Sequence, residues 1–557
     1  MHTRIVLQLL LPAAVLAQQP QGALPIKHAP QPTTASISAA DLMTRLYIFA
    51  DDSMQGRETG TVGHLKSTDY IARELARLGL QPAGDSGTFF QTVPIVNRPF
   101  DVARSSLSVD GVALVPGVDF APQQFRGLPR AFDGAQVIYG GVYGDTSTLP
   151  ATADLNGKIV LFRGGRAGAA PAAFTSRVSG AAAIVRPSNA LANTLRAATW
   201  PTANMLLRGS ASAETPLTIM VTPRVADMLL GSSLDQATAG TLGKTLHGTI
   251  AFTETTAPAR NVVAILRGRD PALRNEYVAL GAHSDHVGLL AGEPVDHDSL
   301  HLYNQARFAI VGMVPRGVQQ TPEQRARVDS IHVNYDSVRR LRPVRLDSIR
   351  NGADDDGSGS VTLLEIAEAF ARAPMSARPR RSLLFVWPTG EEKGLLGSRW
   401  FSEHPTVPRD SIIAQLNMDM VGRGEPADIP VGAANYLELV GSRRLSTELG
   451  DIVEAVNRTQ PRPFAFDYSF DAPGHPENIY CRSDHFHYAR WGIPVVFFTT
   501  GLHGDYHQVT DEPQYISYEH MARIGQFVHD VALRVGNLDH RPVVDGVRMD
   551  PNGVCRQ

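Results

Sequence analysis

Hydrophobic positions along the 557-residue chain fall into three successive regimes. From Ser38 to about Ala83 they recur every three or four residues, most clearly in Asp69-Tyr70-Ile71-Ala72-Arg73-Glu74-Leu75-Ala76-Arg77-Leu78, and Gly79 stops the run. That spacing lines one face of a helix and predicts a helical N-terminal part. From about Val102 to Phe252 the apolar runs are short, as at 135–139 and 158–162, and alternate with Gly-, Pro- and Ala-rich turns. This texture predicts a β-rich unit. From Asn261 onward, strand-like runs at 261–266, 277–281, 382–387, 411–416 and 493–498 alternate with helical patterns at 358–371 and 518–534. The run at 382–387 is apolar throughout, as a parallel strand covered on both faces requires. The alternation predicts an α/β fold: a mixed, mostly parallel sheet with helices on both faces, preceded by an inserted β-rich domain.

Two stretches interrupt this plan. Residues 292–350 are polar and rich in Arg and Asp, with helical spacing at 323–341 that would place Val328, Ile331, Tyr335 and Val338 on one face. This reads as a solvated insertion, or as a lid, because candidate ligands lie on either side of it. At the N-terminus, His2 and Arg4 precede an apolar run at 5–16, and Val15-Leu16-Ala17 before Gln18 suits a small-residue cleavage site. That is the pattern of a secretory signal peptide at 1–17, too short to span a bilayer. A Gln-, Pro- and Ala-rich leader follows at 18–37, and no later run approaches the length of a membrane helix. The expected divisions are a helical part of the main domain at 38–101, the β-rich domain at 102–257, the α/β domain at 258–540 with its insertion at 292–350, and a tail at 541–557. A secreted or periplasmic location and no stable membrane insertion are expected.

Composition narrows the partners. With 43% apolar and 19% charged residues and a formal net charge of −3, the chain has neither a basic field for nucleic acid nor an acidic excess. Its two cysteines, Cys481 and Cys555, are too few for a cysteine metal site, and could pair to tie the tail to the body.

The candidate chemistry lies in five segments at or just beyond the ends of apolar runs, or in the loops that follow, where open α/β sheets place ligand sites. They are Gly281-Ala282-His283-Ser284-Asp285-His286, Gly352-Ala353-Asp354-Asp355-Asp356-Gly357-Ser358-Gly359, Thr389-Gly390-Glu391-Glu392, Asn417-Met418-Asp419-Met420, and Tyr506-His507. Each alone has an ordinary explanation; an Asp triplet before a helix, for instance, suits the cap and first turn. Together and in order they offer the imidazoles and carboxylates that zinc accepts in hydrolytic sites. Two adjacent zincs need one bridging carboxylate, a further carboxylate and a His for each, and a water between them. His283, Asp355, Glu392, Asp419 and His507 meet that count. Asp285, two residues from His283, is placed to receive its second ring nitrogen, and Glu391 is the natural general base. His286, His297, His487 and His503 read as structural residues.

With these motifs, residues 38–536 resemble the co-catalytic zinc exopeptidases typified by bacterial secreted leucyl aminopeptidases, whose relatives include glutamate carboxypeptidase, glutaminyl cyclase and the transferrin receptor. The resemblance implies a zinc exopeptidase fold, two zinc ions and peptide substrates. It assigns one zinc to His283, Asp355 and Asp419, the other to Asp355, Glu392 and His507, with Asp355 as the bridge and Glu391 as the base. Tyr506 stands where some members use a Tyr to support the oxyanion. Arg482-Ser483-Asp484-His485-Phe486 resembles a pocket-lining region of the family, which makes Asp484 and His485 candidates either for substrate contact or for supporting the residues that make it, with a purely structural loop as the alternative. Asp154-Leu155-Asn156-Gly157-Lys158-Ile159-Val160-Leu161 and Gly180-Ala181-Ala182-Ala183-Ile184-Val185 resemble a protease-associated domain, whose suggested role is restricting or presenting substrate. The family implies hydrolysis of N-terminal residues from peptides. Carboxypeptidase, dipeptidase and single-zinc glutaminyl cyclase activities are the alternatives on the same fold, and a non-catalytic binding ectodomain is the alternative outside enzymology. Two departures stand out: the stretch 286–352 is much longer than the corresponding loop of many members, and the tail after Asn537 has no counterpart.

Overall fold

In the segment after residue 258, side chains alternate between the two faces of one sheet. Val262, Ala264 and Leu266 join one core while Val263 and Ile265 join another, as a period of two demands. The computed structural model describes residues 24–123, 128–165, 170–211, 216–312, 320–341 and 343–557; the signal peptide expected at 1–17 and the start of the leader lie outside the described residues. The sheet has nine strands: β1 (Gln81–Pro82), β2 (Phe90–Thr92), β3 (Arg260–Leu266), β4 (Tyr277–Gly281), β5 (Ser382–Trp387), β6 (Ile412–Met418), β7 (Tyr436–Val440), β8 (Ala465–Asp467) and β9 (Val495–Thr499). Their spatial order is β1-β3-β5-β4-β6-β9-β7-β8, with β2 also pairing β3. β5, β4, β6 and β9 are mutually parallel and form the centre; β3 and β7 flank them antiparallel.

Helices Ala39–Phe49, Val62–Arg77, Gly359–Arg372, Thr447–Thr459 and Tyr518–Gly536 cover one face, burying residues such as Leu46, Leu75, Ile366, Val453 and Phe527. The other face is covered by Leu396–Glu403 and His485–Ala489 through Phe401, Tyr488 and Ala489. Strands β7 and β8 and the helix Thr447–Thr459 were not anticipated. They are short elements in a stretch whose apolar residues are separated by charged and turn-forming ones.

Residues 106–250 carry an eight-stranded sheet with its own core, built from residues such as Phe120, Val137, Ile159, Val185 and Ile219. A small sheet of Ile95–Asn97, Leu206–Leu207 and Thr255–Ala257 clasps its entry and exit. Among its described residues the insertion carries three helices, His297–Val311, Pro322–Asp329 and Tyr335–Leu341, with Val295–Asp296 pairing Leu346–Asp347. The single apolar face expected over 323–341 does not form. The helix breaks at Ser330, and Val338 is buried while Tyr335 stays 58% exposed. The helix His297–Val311 had no clear sequence signal, because its apolar residues do not gather on one side. It packs on the loop that carries His507, where Asn304 Nδ2 donates to Thr510 Oγ1 (3.1 Å) and His301 pairs with Asp505 (2.9 Å). Cys481 and Cys555 form a disulfide, so the tail is tied to the body. No helix among the described residues is long and apolar enough to cross a membrane.

His485 is fully buried and stacks on Phe497 at 4.8 Å, and burial pushes its pKa down to about 3. The folded chain therefore refuses a proton that the unfolded chain accepts below about pH 6.5. Stability is lost as pH falls from 6.5 towards 3, at about 2 kcal/mol by pH 5 for this residue. In urea unfolding, the stability gap between the native protein and His485→Gln is expected to shrink by about that amount between pH 7 and pH 5. An unchanged gap would show that this imidazole is not held neutral.

Candidate metal centre

The strand order brings the five segments to one rim. His283 comes two residues after β4 ends at Gly281, Glu391 and Glu392 follow β5 across a turn, Asp419 directly follows Met418 of β6, and His507 lies in the loop after β9. Because these four strands run parallel, their carboxyl ends open on the same side. His507 takes φ 60°, a left-handed backbone conformation uncommon outside glycine and concentrated at functional sites.

Asp355 enters from the turn before the helix Gly359–Arg372, and its two neighbours in the triplet explain its placement. Asp354 Oδ1 accepts from the Gly422 N–H (2.7 Å) and the Ser358 hydroxyl (2.9 Å). Asp356 accepts from the His283 N–H (2.9 Å) through Oδ2, and from the Met420 N–H (3.2 Å) and Gly359 N–H (2.9 Å) through Oδ1. Asp511 in turn accepts from the N–H groups of Asp354 (3.0 Å) and Asp355 (3.1 Å). The outer carboxylates thus tie the loops together and leave the middle one facing the cleft.

Asp355 offers its two oxygens to different neighbours. Oδ1 lies 3.2 Å from His283 Nε2, which is 3.6 Å from Asp419 Oδ1; Oδ2 lies 3.0 Å from His507 Nε2, itself 3.0 Å from Glu392 Oε1. Asp419 Oδ2 is held by the Ser483 hydroxyl (2.8 Å), which Asn417 Nδ2 contacts in turn (3.0 Å). His283 Nε2, His507 Nε2 and Glu392 Oε1 are buried without hydrogen-bond partners. Such orphans cost about 1–3 kcal/mol each. They sit in two donor groups, His283/Asp355/Asp419 and His286/Asp355/Glu392/His507, and within each group the ligand atoms lie within 4.8 Å of one another. A divalent cation in each group would satisfy these atoms, so the residues fit the ions the sequence implies.

Four residues stand differently from expectation. The Asp285 carboxylate does not take the His283 ring nitrogen: Nδ1 contacts the backbone oxygen of Asp285 (3.1 Å), while Oδ1 is 3.8 Å away. The carboxylate turns instead to the Thr59 hydroxyl (2.9 Å) and the Glu391 N–H (3.2 Å), which places it behind the base. Asp484 and His485 do not line the cleft, because the short helix carrying His485 packs inward on the sheet and buries both side chains. Their predecessors Arg482 and Ser483 line it instead. His286, read as structural, points into the centre with Nδ1 3.0 Å from Glu392 Oε1. The signal that could have found it is its place in the His283-Ser284-Asp285-His286 turn. Of the other histidines so read, His297 pairs with Asp347 (2.9 Å) in the insertion and His503 faces Asp354 Oδ2 (3.3 Å).

The centre forms the floor of an open cleft. Asp355, Glu391 and Asp419 line its polar end, and Met420, Phe470, Ile479, Phe497, Leu502 and Tyr506 its apolar walls. Burial pushes Glu391 well above the usual carboxylate range; the like charges of Glu392, Asp419 and Asp484 add to this and His283 opposes it. A neighbouring cation acts in the opposite direction and favours the carboxylate. Tyr506 stacks on His507 at 3.9 Å, with its hydroxyl 3.5 Å from Arg482 Nη2. Burial, then the charges of Asp355 and Glu392, hold its phenol well above the ordinary value, so it remains a hydrogen-bond donor.

Residues 320–532 match the model of peptidase family M28. The M28 match begins inside the insertion, so it includes Asp355, Glu391, Glu392, Asp419 and His507 but not His283, which the fold brings to the same site. Leucine aminopeptidase 1 of Aspergillus fumigatus is 26% identical over 225 residues, covering 39% of this chain and 52% of that protein. Its namesake from Aspergillus oryzae is 28% identical over 236 residues, covering 39% and 53%. The chain thus spans about half the length of the curated relatives it matches. Among solved structures, an aminopeptidase from Aneurinibacillus sp. strain AM-1 superposes with a TM-score of 0.51 at 17% identity, covering 92% of this chain and 97% of that one, which shows a shared fold.

If Asp355 joins the two donor groups, Asp355→Asn should cost both ions. Metal analysis after zinc loading and desalting should give about two equivalents for the native protein and well under one for the variant. Two equivalents in Asp355→Asn would mean that the ions do not share this residue.

Proposed function

We propose that this protein is a secreted aminopeptidase that uses two zinc ions to hydrolyse the first peptide bond of its substrates. The observation that carries the reading is Asp355, with one oxygen beside His283 and the other beside His507. The carboxylates of Asp355, Glu391, Glu392 and Asp419 balance the four positive charges of two divalent ions. Zinc at these positions would supply Lewis acidity and lower the pKa of water towards neutrality. The remaining work falls to the chain's own groups. Glu391, its backbone held by Asp285, takes the proton of the attacking water and delivers it to the leaving amine. The Tyr506 hydroxyl, beside Arg482, donates to the oxyanion as the carbonyl becomes tetrahedral.

The cleft favours a free amino terminus over a free carboxylate. Arg482 is the one cation among the described residues lining it, and its Nη1 is already paired with Glu477 at 2.8 Å. A substrate carboxylate would compete for that guanidinium and face Glu391 and Asp419, which weighs against the carboxypeptidase and dipeptidase readings. A single-zinc glutaminyl cyclase has no use for the second donor group, and a binding ectodomain has no use for either. The apolar walls suit an aliphatic or aromatic first side chain. Export is supported by the signal-like N-terminus together with the Cys481–Cys555 disulfide, which persists in oxidising compartments.

Hydrolysis of an aminoacyl-anilide panel tests this reading. Leucyl and phenylalanyl anilides should be cleaved, N-acetylated ones should not, and activity should disappear with a chelator and return with zinc. Silence across the panel from a zinc-loaded protein would overturn the aminopeptidase reading. Glu391→Gln should lower kcat by roughly 100- to 10,000-fold at unchanged zinc content. Turnover near the native value would remove Glu391 from proton transfer.

A further inference from the structure

His286 is completely buried, and neither of its ring nitrogens has a hydrogen-bond partner. Nδ1 nevertheless lies 3.0 Å from Glu392 Oε1 and 3.7 Å from Asp355 Oδ2, and the ring meets His507 edge-on with centroids 5.5 Å apart. An imidazole nitrogen placed this close to two carboxylate oxygens needs a proton or a cation between them. The hydrogen-bond geometry is not met, whereas the ligand atoms of His286, Asp355, Glu392 and His507 all lie within 4.8 Å of one another.

The seat of this ring is built rather than incidental. The His286 N–H donates to Arg57 O (3.2 Å), and its backbone forms an isolated parallel bridge with Glu58. The fully buried Arg57 guanidinium reaches across to the backbone oxygens of Asn351 and Gly352. Gly352 takes φ +57°, and a Cβ there would lie 2.5 Å from the His286 ring. Only a glycine at 352 lets the loop entering the Asp triplet close over the imidazole.

We infer that His286 is a fourth protein ligand to the metal held by Asp355, Glu392 and His507. This rests on the metal-dependent reading above. It makes the two positions unequal, with three protein donors in the His283 group and four in the His507 group. The ion beside His286 is then the slower to leave, and the one beside His283 exchanges first.

X-ray absorption at the zinc edge of the native protein holding two zincs reads the ligands directly, independent of any variant's folding. Three imidazoles per two zincs are expected, from His283, His286 and His507; two would overturn the inference. Chelator competition supplies the second readout. Native protein should release its zincs in two separated steps. His286→Gln, which keeps an amide donor but loses the ligand, should bind the tighter zinc more than about 100-fold less well, beyond the 10–100-fold typical of a residue that only orients a ligand. His286→Asp, which restores a ligand atom, should recover most of that loss. Retention of the tight zinc by His286→Gln, or its loss in His286→Asp alone, would assign His286 a hydrogen-bonding role and overturn the inference. Failure of the native protein to take up zinc at all would instead overturn the metal-dependent reading on which it rests.

Discussion

The cleft depends on one constraint: Asp355 must stay buried with an oxygen free on each side, in a region that also holds Glu391, Glu392 and Asp419. Carboxylates crowded into a low-dielectric site repel one another and lose hydration, so each must be neutralised, hydrogen-bonded or matched by a cation. The fold meets the first demands with backbone donors. The N–H groups of His283, Gly359, Met420 and Gly422 are taken by Asp354 and Asp356, and those of Asp354 and Asp355 by Asp511. Among the described residues no comparable donors reach the cleft-facing atoms of His283, Glu392 and His507, and there the proposed cations would sit.

The surroundings reinforce this placement from three directions. Glu58, whose backbone pairs with His286, accepts from the Thr202 hydroxyl of the inserted β-rich domain (2.5 Å) and from Lys393 (2.7 Å), the residue after Glu392. The inserted domain is therefore tied to the rim although it holds none of the residues that form the centre. The insertion helix His297–Val311 braces the loop that delivers His507. On the third side, the tail returns under the apolar wall: Cys555 is bonded to Cys481, and Gln557 bonds the backbone at Phe470 and Tyr480. Phe470 and Ile479, beside these anchors, form part of the cleft wall.

Much of this was legible in the sequence because the central strands are buried on both faces and must be apolar without interruption. Residues 277–281 and 382–387 were read at their observed limits for that reason. The ligand-bearing segments were legible because each follows such a strand or opens a helix, so position in the chain implied position on the rim. What the sequence did not disclose depends on tertiary direction. Whether Asp285 turns its carboxylate or its carbonyl towards His283 is a matter of side-chain rotation. Asp484 and His485 share a segment with two cleft-lining residues, yet a short helix points them into the sheet. His286 looks like any histidine in a turn until Arg57 and Gly352 are seen to close on it. The paired cysteines were visible, but their proximity is a property of the folded tail.

The most direct test of the account is anomalous scattering at the zinc edge from crystals of the zinc-loaded protein. Two peaks about 3.5–4 Å apart, one on each side of Asp355, are the expected result. A single peak, or two that do not share Asp355, would contradict the two-metal centre on which the proposed function stands.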